Sequence, residues 1–298
     1  MSFENIIGNN KIKEFLNQAV EEGHVSHSYL FIGINGIGKT LFAREFAKKV
    51  LCLNGKGDNC ESCLKWENNN HPDFIQIEPE NNVIKIEQIR NMQEEISVKP
   101  IASNKKVFLI IDSDLMTKEA QNCLLKTLEE PPQYALIILT TSNESKLLNP
   151  IKSRCMKIPF ERIDEKEITD YANNVLNISA SKDFIKMCEG SIGKLLEIKE
   201  DEELYTKINT LLENIEGSKF TSLINNAEVL YKGKEKITEI LEYINVYLYN
   251  QKDMKKLKCI KYVEEVKKRL LANSNYDMCI DYLLMNLWEE INEKYSRS

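Results

Sequence analysis

The sequence lacks three features that would assign it to well-known classes of protein. It has no apolar run long enough to span a bilayer, and its first residues lack the basic and then apolar segments of a secretory signal. It also lacks an excess of positive charge: its formal net charge is −6, whereas proteins whose main task is to grip DNA are usually basic. We therefore expect a cytoplasmic protein with no membrane partner, whose contacts with DNA are local or shared with partner proteins.

Histidine is also scarce, and none of the three histidines lies beside another candidate for catalysis. The eight cysteines of a cytoplasmic chain are expected to be reduced or bound to metal rather than joined in disulfides. The length of 298 residues predicts about two domains.

The most informative stretch is the glycine-rich segment at residues 33–40, which reads Gly-Ile-Asn-Gly-Ile-Gly-Lys-Thr. It matches the phosphate-binding loop, whose glycines let several backbone N–H groups turn towards one phosphate. Its lysine reaches the β- and γ-phosphates, and its threonine hydroxyl binds Mg²⁺. The segment therefore predicts a site for ATP or ADP with Mg²⁺, formed by Gly33, Gly36, Gly38, Lys39 and Thr40.

The neighbouring sequence has the form that this loop requires. Residues 28–32 are typical of a buried strand, and residues 41–51 are typical of an amphipathic helix whose N-terminus adds a positive dipole. Residues 107–111 predict another buried strand, and Asp112 follows it, where a carboxylate holds Mg²⁺ through water. Thr141 ends a further strand at the same edge of the sheet, so we expect it to contact the nucleotide.

Strands alternate with helices up to residue 160, which predicts an α/β fold: a doubly wound parallel sheet with flanking helices. The predicted strands cover residues 28–32, 74–77, 107–111, 135–141 and 156–158. The predicted helices cover residues 6–22, 41–51, 84–98, 118–130, 164–175, 182–188, 194–199, 204–215, 219–230, 237–250, 255–273 and 277–295. We expect a nucleotide-binding domain at residues 1–160, a small helical domain at 161–203 and an all-α domain at 204–298.

A cysteine cluster follows the helix after the phosphate loop. Cys60 and Cys63 form a Cys-x-x-Cys pair, and Cys52 lies just before them. Such a pair at a loop suits tetrahedral thiolate coordination of zinc. A closed structural zinc site needs four ligands, and His71 or Asp58 is the candidate for the fourth. The alternative is a loop of free thiols without metal.

Several stretches together carry a family resemblance. Residues 27–31 lead into the phosphate loop, and Asn-His-Pro-Asp at residues 70–73 follows the cysteines. Residues 121–132 read Gln-Asn-Cys-Leu-Leu-Lys-Thr-Leu-Glu-Glu-Pro-Pro, and residues 151–155 read Ile-Lys-Ser-Arg-Cys. With these stretches, residues 1–160 resemble the AAA+ clamp-loader family of bacterial DNA polymerase III, in its delta prime branch. The later helices match only in layout, which this family uses as a small lid and an oligomerisation collar.

The resemblance implies a place in a five-membered ring whose ATP sites lie between neighbours. Such rings open a sliding clamp and close it around primed DNA, so the implied partners are delta and tau or gamma subunits, the clamp and primed DNA. Arg154 is implied as an arginine finger on the γ-phosphate held by the adjacent subunit, a contact worth roughly 10³–10⁵ in rate. Lys194 falls near the lid position where the family often has a nucleotide-sensing arginine; the alternative there is a helix-capping loop.

The sequence departs from the family pattern at two places. AAA+ ATPases usually follow the strand aspartate with a glutamate that polarises the attacking water, but Ser113 follows Asp112. A one-residue shift makes Asp112 the base and leaves Ile111 in place of the metal-binding aspartate, so one carboxylate is missing in either register. We therefore expect nucleotide binding with weak or absent hydrolysis. At the cysteine cluster, the family commonly has four cysteines, and the second would fall near Gly57.

Two other functions are compatible with the motifs. An active tau- or gamma-type clamp-loader ATPase fits less well, because the pair of acidic residues is incomplete. A stand-alone phosphate-loop enzyme such as a kinase is the alternative from a different class, but residues 161–298 offer it no second set of catalytic side chains.

Overall fold

A computed structural model of the chain describes residue 3 and residues 6–54, 60–178 and 182–292. The chain divides into two compact units. The first comprises Met1–Tyr171 and Gly190–Gly193, and the second comprises Ala172–Glu189 and Lys194–Ser298. The domain boundaries predicted at residues 160 and 203 stay predictions.

A five-stranded parallel sheet forms the centre of the first unit, with the strand order β2-β3-β4-β1-β5. The strands are β1 (Ser28–Ile32), β2 (Phe74–Ile77), β3 (Lys106–Ile110), β4 (Ala135–Thr141) and β5 (Met156–Pro159). Strands β3 and β4 are buried along their whole length, which is why they read as continuous apolar runs. The predicted parallel α/β sheet is confirmed.

Strand β3 begins and ends one residue earlier than the sequence predicts. Lys106 is buried in the strand because its ammonium reaches the Glu95 carbonyl at 2.7 Å and the Glu95 carboxylate at 2.9 Å. Asp112, two residues after the strand, has a left-handed backbone with φ 49°. The strand therefore begins with a charged residue, and it ends at Ile110, one residue before the predicted end.

Helices flank both faces of this sheet: residues of α4 and α5 pack with Leu30 on one face, and Phe46 of α2 packs against Tyr29 on the other. The helices that lie wholly in the first unit are α1 (Asn10–Glu21), α2 (Lys39–Leu51), α3 (Glu61–Glu67), α4 (Ile86–Ser97), α5 (Lys118–Glu129) and α6 (Asn149–Arg154); α7 (Glu165–Asn174) begins there, and its last three residues belong to the second unit. Helix α1 begins later than predicted, because Gly8 and Asn9 both have left-handed backbones. Helix α3 was not predicted; it carries the second and third cysteines of the cluster in or next to its first turn.

The described residues of the second unit contain helices and no strand. The helices are α8 (Lys182–Met187), α9 (Ile192–Glu200), α10 (Glu202–Glu213), α11 (Phe220–Asn226), α12 (Glu228–Lys232), α13 (Ile237–Asn250), α14 (Met254–Leu271) and α15 (Tyr276–Ile291). The first two residues of α9 belong to the first unit. The single helix predicted at residues 219–230 is wrong, because Ala227 leaves helical geometry and separates α11 from α12. The predicted end of the last helix, at residues 293–295, lies outside the described residues. No helix in the described part of the chain is both long and apolar enough to cross a membrane.

Candidate nucleotide-binding site

The phosphate loop lies between β1 and α2, and its glycines are required by its backbone. Gly36 and Gly38 have φ values of 71° and 99°, which residues with a side chain rarely adopt. At Gly33 a Cβ atom would lie 2.9 Å from the Cβ of Phe160. Helix α2 begins at Lys39, so the unpaired N–H groups of its first turn lie at the loop. This arrangement is suited to binding an anion.

Lys39 is almost completely buried and is held by the loop itself. Its ammonium donates to the carbonyl oxygens of Gly33 at 2.8 Å and Ile34 at 2.9 Å. Burial lowers the pKa of Lys39, and the nearby carboxylates of Asp112 and Asp114 oppose that shift. The predicted lysine therefore faces two acidic residues at the end of β3, as a Mg²⁺–nucleotide site requires.

The two acidic residues are placed by hydrogen bonds to the end of β4. The Asp112 N–H donates to Thr140 Oγ1 at 3.0 Å, and burial raises the pKa of its carboxyl group despite the nearby Lys39. Asp114 accepts from Thr141 Oγ1 at 2.8 Å and from the Ser142 N–H at 3.2 Å. The carboxylate of Asp114 also acts on Lys39, so the site contains a second acidic residue besides the predicted Asp112. The sequence signal for this second acidic residue was its spacing of two residues from Asp112.

Ser113, the residue after Asp112, points into the sheet. It is fully buried, and its hydroxyl donates to the Thr140 carbonyl at 2.8 Å. Thr141 is also fully buried, with its hydroxyl bonded to Asp114 and accepting from the Asn143 N–H at 3.1 Å. In this state Thr141 holds an acidic residue; its direct contact with nucleotide stays a prediction.

Arg154 is the last residue of α6 and is held at three points. Its carbonyl oxygen accepts from Ser28 Oγ at 2.7 Å. Its guanidinium group donates to the Pro150 carbonyl at 2.9 Å and to Glu129 Oε1 at 2.6 Å. Glu129 ends α5, so the structure brings together two of the stretches that carry the family resemblance. Lys194 lies in the second unit, where it forms an ion pair with Glu189 at 3.3 Å.

The three cysteines of the predicted metal site converge. The sulfur atoms of Cys52, Cys60 and Cys63 all lie within 4.8 Å of one another. Burial acts to raise the pKa of Cys60, but hydrogen bonds from the backbone at Cys63 and Leu53 outweigh it and lower that pKa. Burial and the two neighbouring thiols raise the pKa of Cys63 to about 12. Three thiols this close together could supply three of the four ligands of a tetrahedral thiolate site.

His71 does not join this cluster. Its Nε2 atom lies 2.8 Å from Ser62 Oγ, and its Nδ1 atom accepts from the Asp73 N–H at 3.1 Å. Burial lowers the pKa of His71, so the ring is neutral at pH 7. The other candidate for a fourth ligand, Asp58, lies outside the described residues. Of the two candidates, therefore, the histidine is engaged in a different role.

A family model described as DNA polymerase III, delta subunit, matches residues 8–164, more than half of the chain. The chain belongs to this family. It is 39% identical over 163 residues to DNA polymerase III subunit delta' of Bacillus subtilis, covering 54% of this chain and 50% of that protein. It is 30% identical over 273 residues to subunit tau of the same organism, covering 86% of this chain and 47% of that protein. The chain thus spans about half the length, or less, of these relatives.

Solved structures agree in fold. A DNA polymerase III gamma subunit-related protein from Thermotoga maritima superposes with a TM-score of 0.53 at 17% identity, covering 93% of this chain and 99% of that one. A single-residue variant of RuvB from Thermotoga maritima gives 0.52 at 16% identity, covering 97% and 88%. At such identities the likeness establishes the fold alone. The predicted AAA+ fold class, with its helical C-terminal region, and the family resemblance are both confirmed.

The match to the DNA polymerase III delta-subunit family includes most of the predicted site. The phosphate loop, Asp112, Thr141, Arg154 and the cysteine cluster all lie within the matched residues, whereas Lys194 lies beyond them.

Proposed function

We propose that this chain is the delta prime subunit of a bacterial clamp loader and supplies Arg154 to an ATP site on a neighbouring subunit. One observation carries the proposal: a complete phosphate loop lies beside an incomplete set of acids. Where the family usually has the water-activating glutamate, this chain has Ser113, whose hydroxyl donates to the Thr140 carbonyl. That position therefore offers no carboxylate to act as a base. A subunit with poor hydrolysis of its own still serves the ring if it contributes a catalytic side chain, here Arg154, to the ATP site of a neighbour.

The environment of Arg154 suits that contribution. About a third of its side chain is exposed, and its pairing with the half-exposed Glu129 leaves three of its five N–H groups for another partner. An ion pair this exposed is worth about 0–1 kcal/mol, so a triphosphate displaces the carboxylate at little cost. Arginine is also suited to the planar oxygen pairs of a phosphate.

The proposed assembly contains delta and tau or gamma subunits, acts in the cytoplasm and loads the sliding clamp onto primed DNA. In this role the chain binds ATP or ADP with Mg²⁺ at its own phosphate loop, and hydrolysis there is weak or absent. Thr40 would hold the Mg²⁺ ion, with Asp112 acting through water. The subunit is then a component of the DNA polymerase III holoenzyme.

The test is a loader reconstituted with Arg154→Ala. We expect clamp- and DNA-stimulated ATP hydrolysis to fall by roughly 10³–10⁵ at the site that Arg154 completes. Arg154→Lys keeps the charge but not the planar fork, and should rescue little. Lys152→Ala removes a cation from the same helix and serves as the matched control. Unchanged hydrolysis in Arg154→Ala, with the ring assembled, would rule out the finger.

We also propose that the cysteine cluster binds a structural zinc ion. Cys52, Cys60 and Cys63 would hold it, and the metal would tie the end of α2 to the start of α3. Elemental analysis of the purified protein should find one equivalent of zinc, lost in Cys60→Ser. Cys123→Ser is the control, because Cys123 lies outside the cluster and hydrogen-bonds Gln93. A wild-type protein without zinc, or zinc retained in Cys60→Ser, would contradict the site.

A further inference from the structure

The segment at residues 190–193 lies directly against the phosphate loop, within the same compact unit. Ser191 Oγ donates to the Asn35 carbonyl at 3.0 Å, and Ser191 itself is fully buried. The Gly193 N–H, in the first turn of α9, donates to the Gly36 carbonyl at 2.9 Å. These two bonds satisfy the carbonyl groups of the two central residues of the loop.

The two preceding carbonyl groups of the loop are satisfied as well, because both accept from the Lys39 ammonium. Four consecutive carbonyl groups, those of residues 33–36, are therefore engaged by the protein itself. The N–H groups of Asn35, Gly36 and Gly38 donate to no acceptor within the described part of the chain. A loop with engaged carbonyls and unengaged N–H groups has the polarity of an anion nest.

The contact between the two segments is too close for a side chain. A Cβ atom on Gly193 would lie 2.5 Å from the Cα of Gly36, and one on Gly36 would lie 2.4 Å from Ser191 Oγ. Gly36 also needs to be glycine because of its positive φ. Gly193 has no such φ, so its requirement for glycine comes from the contact alone.

We propose that Ser191 and Gly193 are positioning residues for the nucleotide, which hold the phosphate loop in its binding shape before the nucleotide arrives. The proposal rests on the proposed nucleotide binding at this loop and extends it to a segment with no phosphate-binding motif. A loop that is already ordered loses little conformational freedom when its ligand binds, so the support raises affinity without touching the ligand.

The test measures Mg–ADP binding to the full-length chain by calorimetry. Gly193→Ala forces the two backbones apart and should weaken binding about tenfold, equivalent to 1.4 kcal/mol. Ser191→Ala removes one hydrogen bond and should weaken binding by about three- to tenfold. Gly23→Ala is the control: it places a side chain on a glycine with φ 70° in open space, so it strains the backbone without a loop contact. Its ADP affinity should match that of wild type.

A second measurement judges the support without nucleotide. Lys39 is 5% exposed, and acylation of its amine, followed by mass spectrometry, reports on opening of the loop. Gly193→Ala should label Lys39 about tenfold faster than wild type. Wild-type ADP affinity and wild-type labelling in Gly193→Ala would overturn the inference and leave the proposed nucleotide site standing. A wild-type chain that binds no ADP would overturn the proposed nucleotide binding and, with it, the role of these two residues towards a nucleotide.

Discussion

Two carboxylates face Lys39, and the surrounding chain treats them differently. Asp114 accepts hydrogen bonds from Thr141 and Ser142, whereas the Asp112 carboxylate is partly buried with no such donors in the described residues. Burial raises the pKa of Asp112, so its ionised form is less favourable in the folded chain than in the unfolded one. Asp114 is thus built into the sheet, and Asp112 is the carboxylate available to a metal ion.

This difference predicts opposite effects of two similar substitutions. The folded pKa of Asp112 lies above its unfolded value, so the stability penalty is absent below the unfolded pKa, develops as pH rises from the unfolded to the folded pKa, and is present at pH 7. Asp112→Asn removes that penalty and should raise the free energy of unfolding at pH 7, but not at a pH below the unfolded pKa; asparagine also tolerates the left-handed backbone. Mg²⁺-dependent ADP binding should weaken.

Asp114→Asn is the matched comparison, because it disturbs a buried acceptor. It should lower the free energy of unfolding by about 1–3 kcal/mol. The measurement is the free energy of unfolding of both variants in denaturant, at pH 7 and at a pH below the unfolded pKa of Asp112. A destabilised Asp112→Asn at pH 7 would show that the ionised carboxylate stabilises the ligand-free site instead.

At the scale of elements, the carbonyl of Leu51 joins three parts of the first unit. Leu51 ends α2, and its carbonyl accepts from Ser62 Oγ of α3 at 2.6 Å and from Ser103 Oγ, before β3, at 2.9 Å. His71 lies against Ser62, and the Asp73 carboxylate accepts from the N–H groups of residues 101–103. The Asn-His-Pro-Asp stretch therefore supports the helix of the phosphate loop, and does not supply a metal ligand.

Removing this junction should destabilise the unit. Ser62→Ala leaves a buried histidine nitrogen without its partner and should cost about 1–3 kcal/mol of unfolding free energy. Ser97→Ala removes a hydroxyl that makes the same type of bond, to the Glu94 carbonyl, but is exposed, and should change stability by less than about 0.5 kcal/mol. Equal effects of the two substitutions on the free energy of unfolding in urea would show that the buried Ser62 hydroxyl stabilises the unit no more than the exposed Ser97 hydroxyl does.

The elements that the sequence predicts well are those whose signal is local. Strands β1, β2 and β4 have the predicted bounds. Apolar runs mark β1 and β4, which are buried in the parallel sheet, whereas β2 is a short, mostly half-buried strand at the edge of the sheet. The boundary between α11 and α12 has no glycine or proline to signal it. Nor could the sequence show that Lys106 enters β3, since its partner Glu95 comes from another element.

The same distinction applies to the site. The phosphate loop has a motif with a physical cause for each residue, so its position between β1 and α2 could be predicted. The contact of Glu129 with Arg154 joins residues 25 positions apart, and that of Gly36 with Gly193 joins two glycines that carry no pattern in common. The inward orientation of Ser113 depends on the Thr140 carbonyl of the neighbouring strand. Such contacts follow from the assembled sheet and not from any stretch read alone.

At the scale of the whole molecule, the proposed subunit is an incomplete ATPase by itself. It lacks a base at Ser113, and in isolation no neighbour offers an arginine to its own nucleotide. We expect the purified chain to bind ADP but to hydrolyse ATP far below the ~1 s⁻¹ that marks the slow end of ordinary enzymes. Lys39→Ala should abolish the binding. Steady turnover at or above that rate by the isolated chain would favour a tau- or gamma-type ATPase.

The central claim is that Arg154 leaves Glu129 and binds a triphosphate held by a neighbour. A structure of the assembled loader with a non-hydrolysable ATP analogue tests it most directly, through the distance from the Arg154 guanidinium nitrogens to the nearest γ-phosphate oxygen. We predict about 2.7–2.9 Å, the length of a charge-assisted hydrogen bond. An Arg154 still paired with Glu129 and turned away from every boundary between subunits would contradict the account.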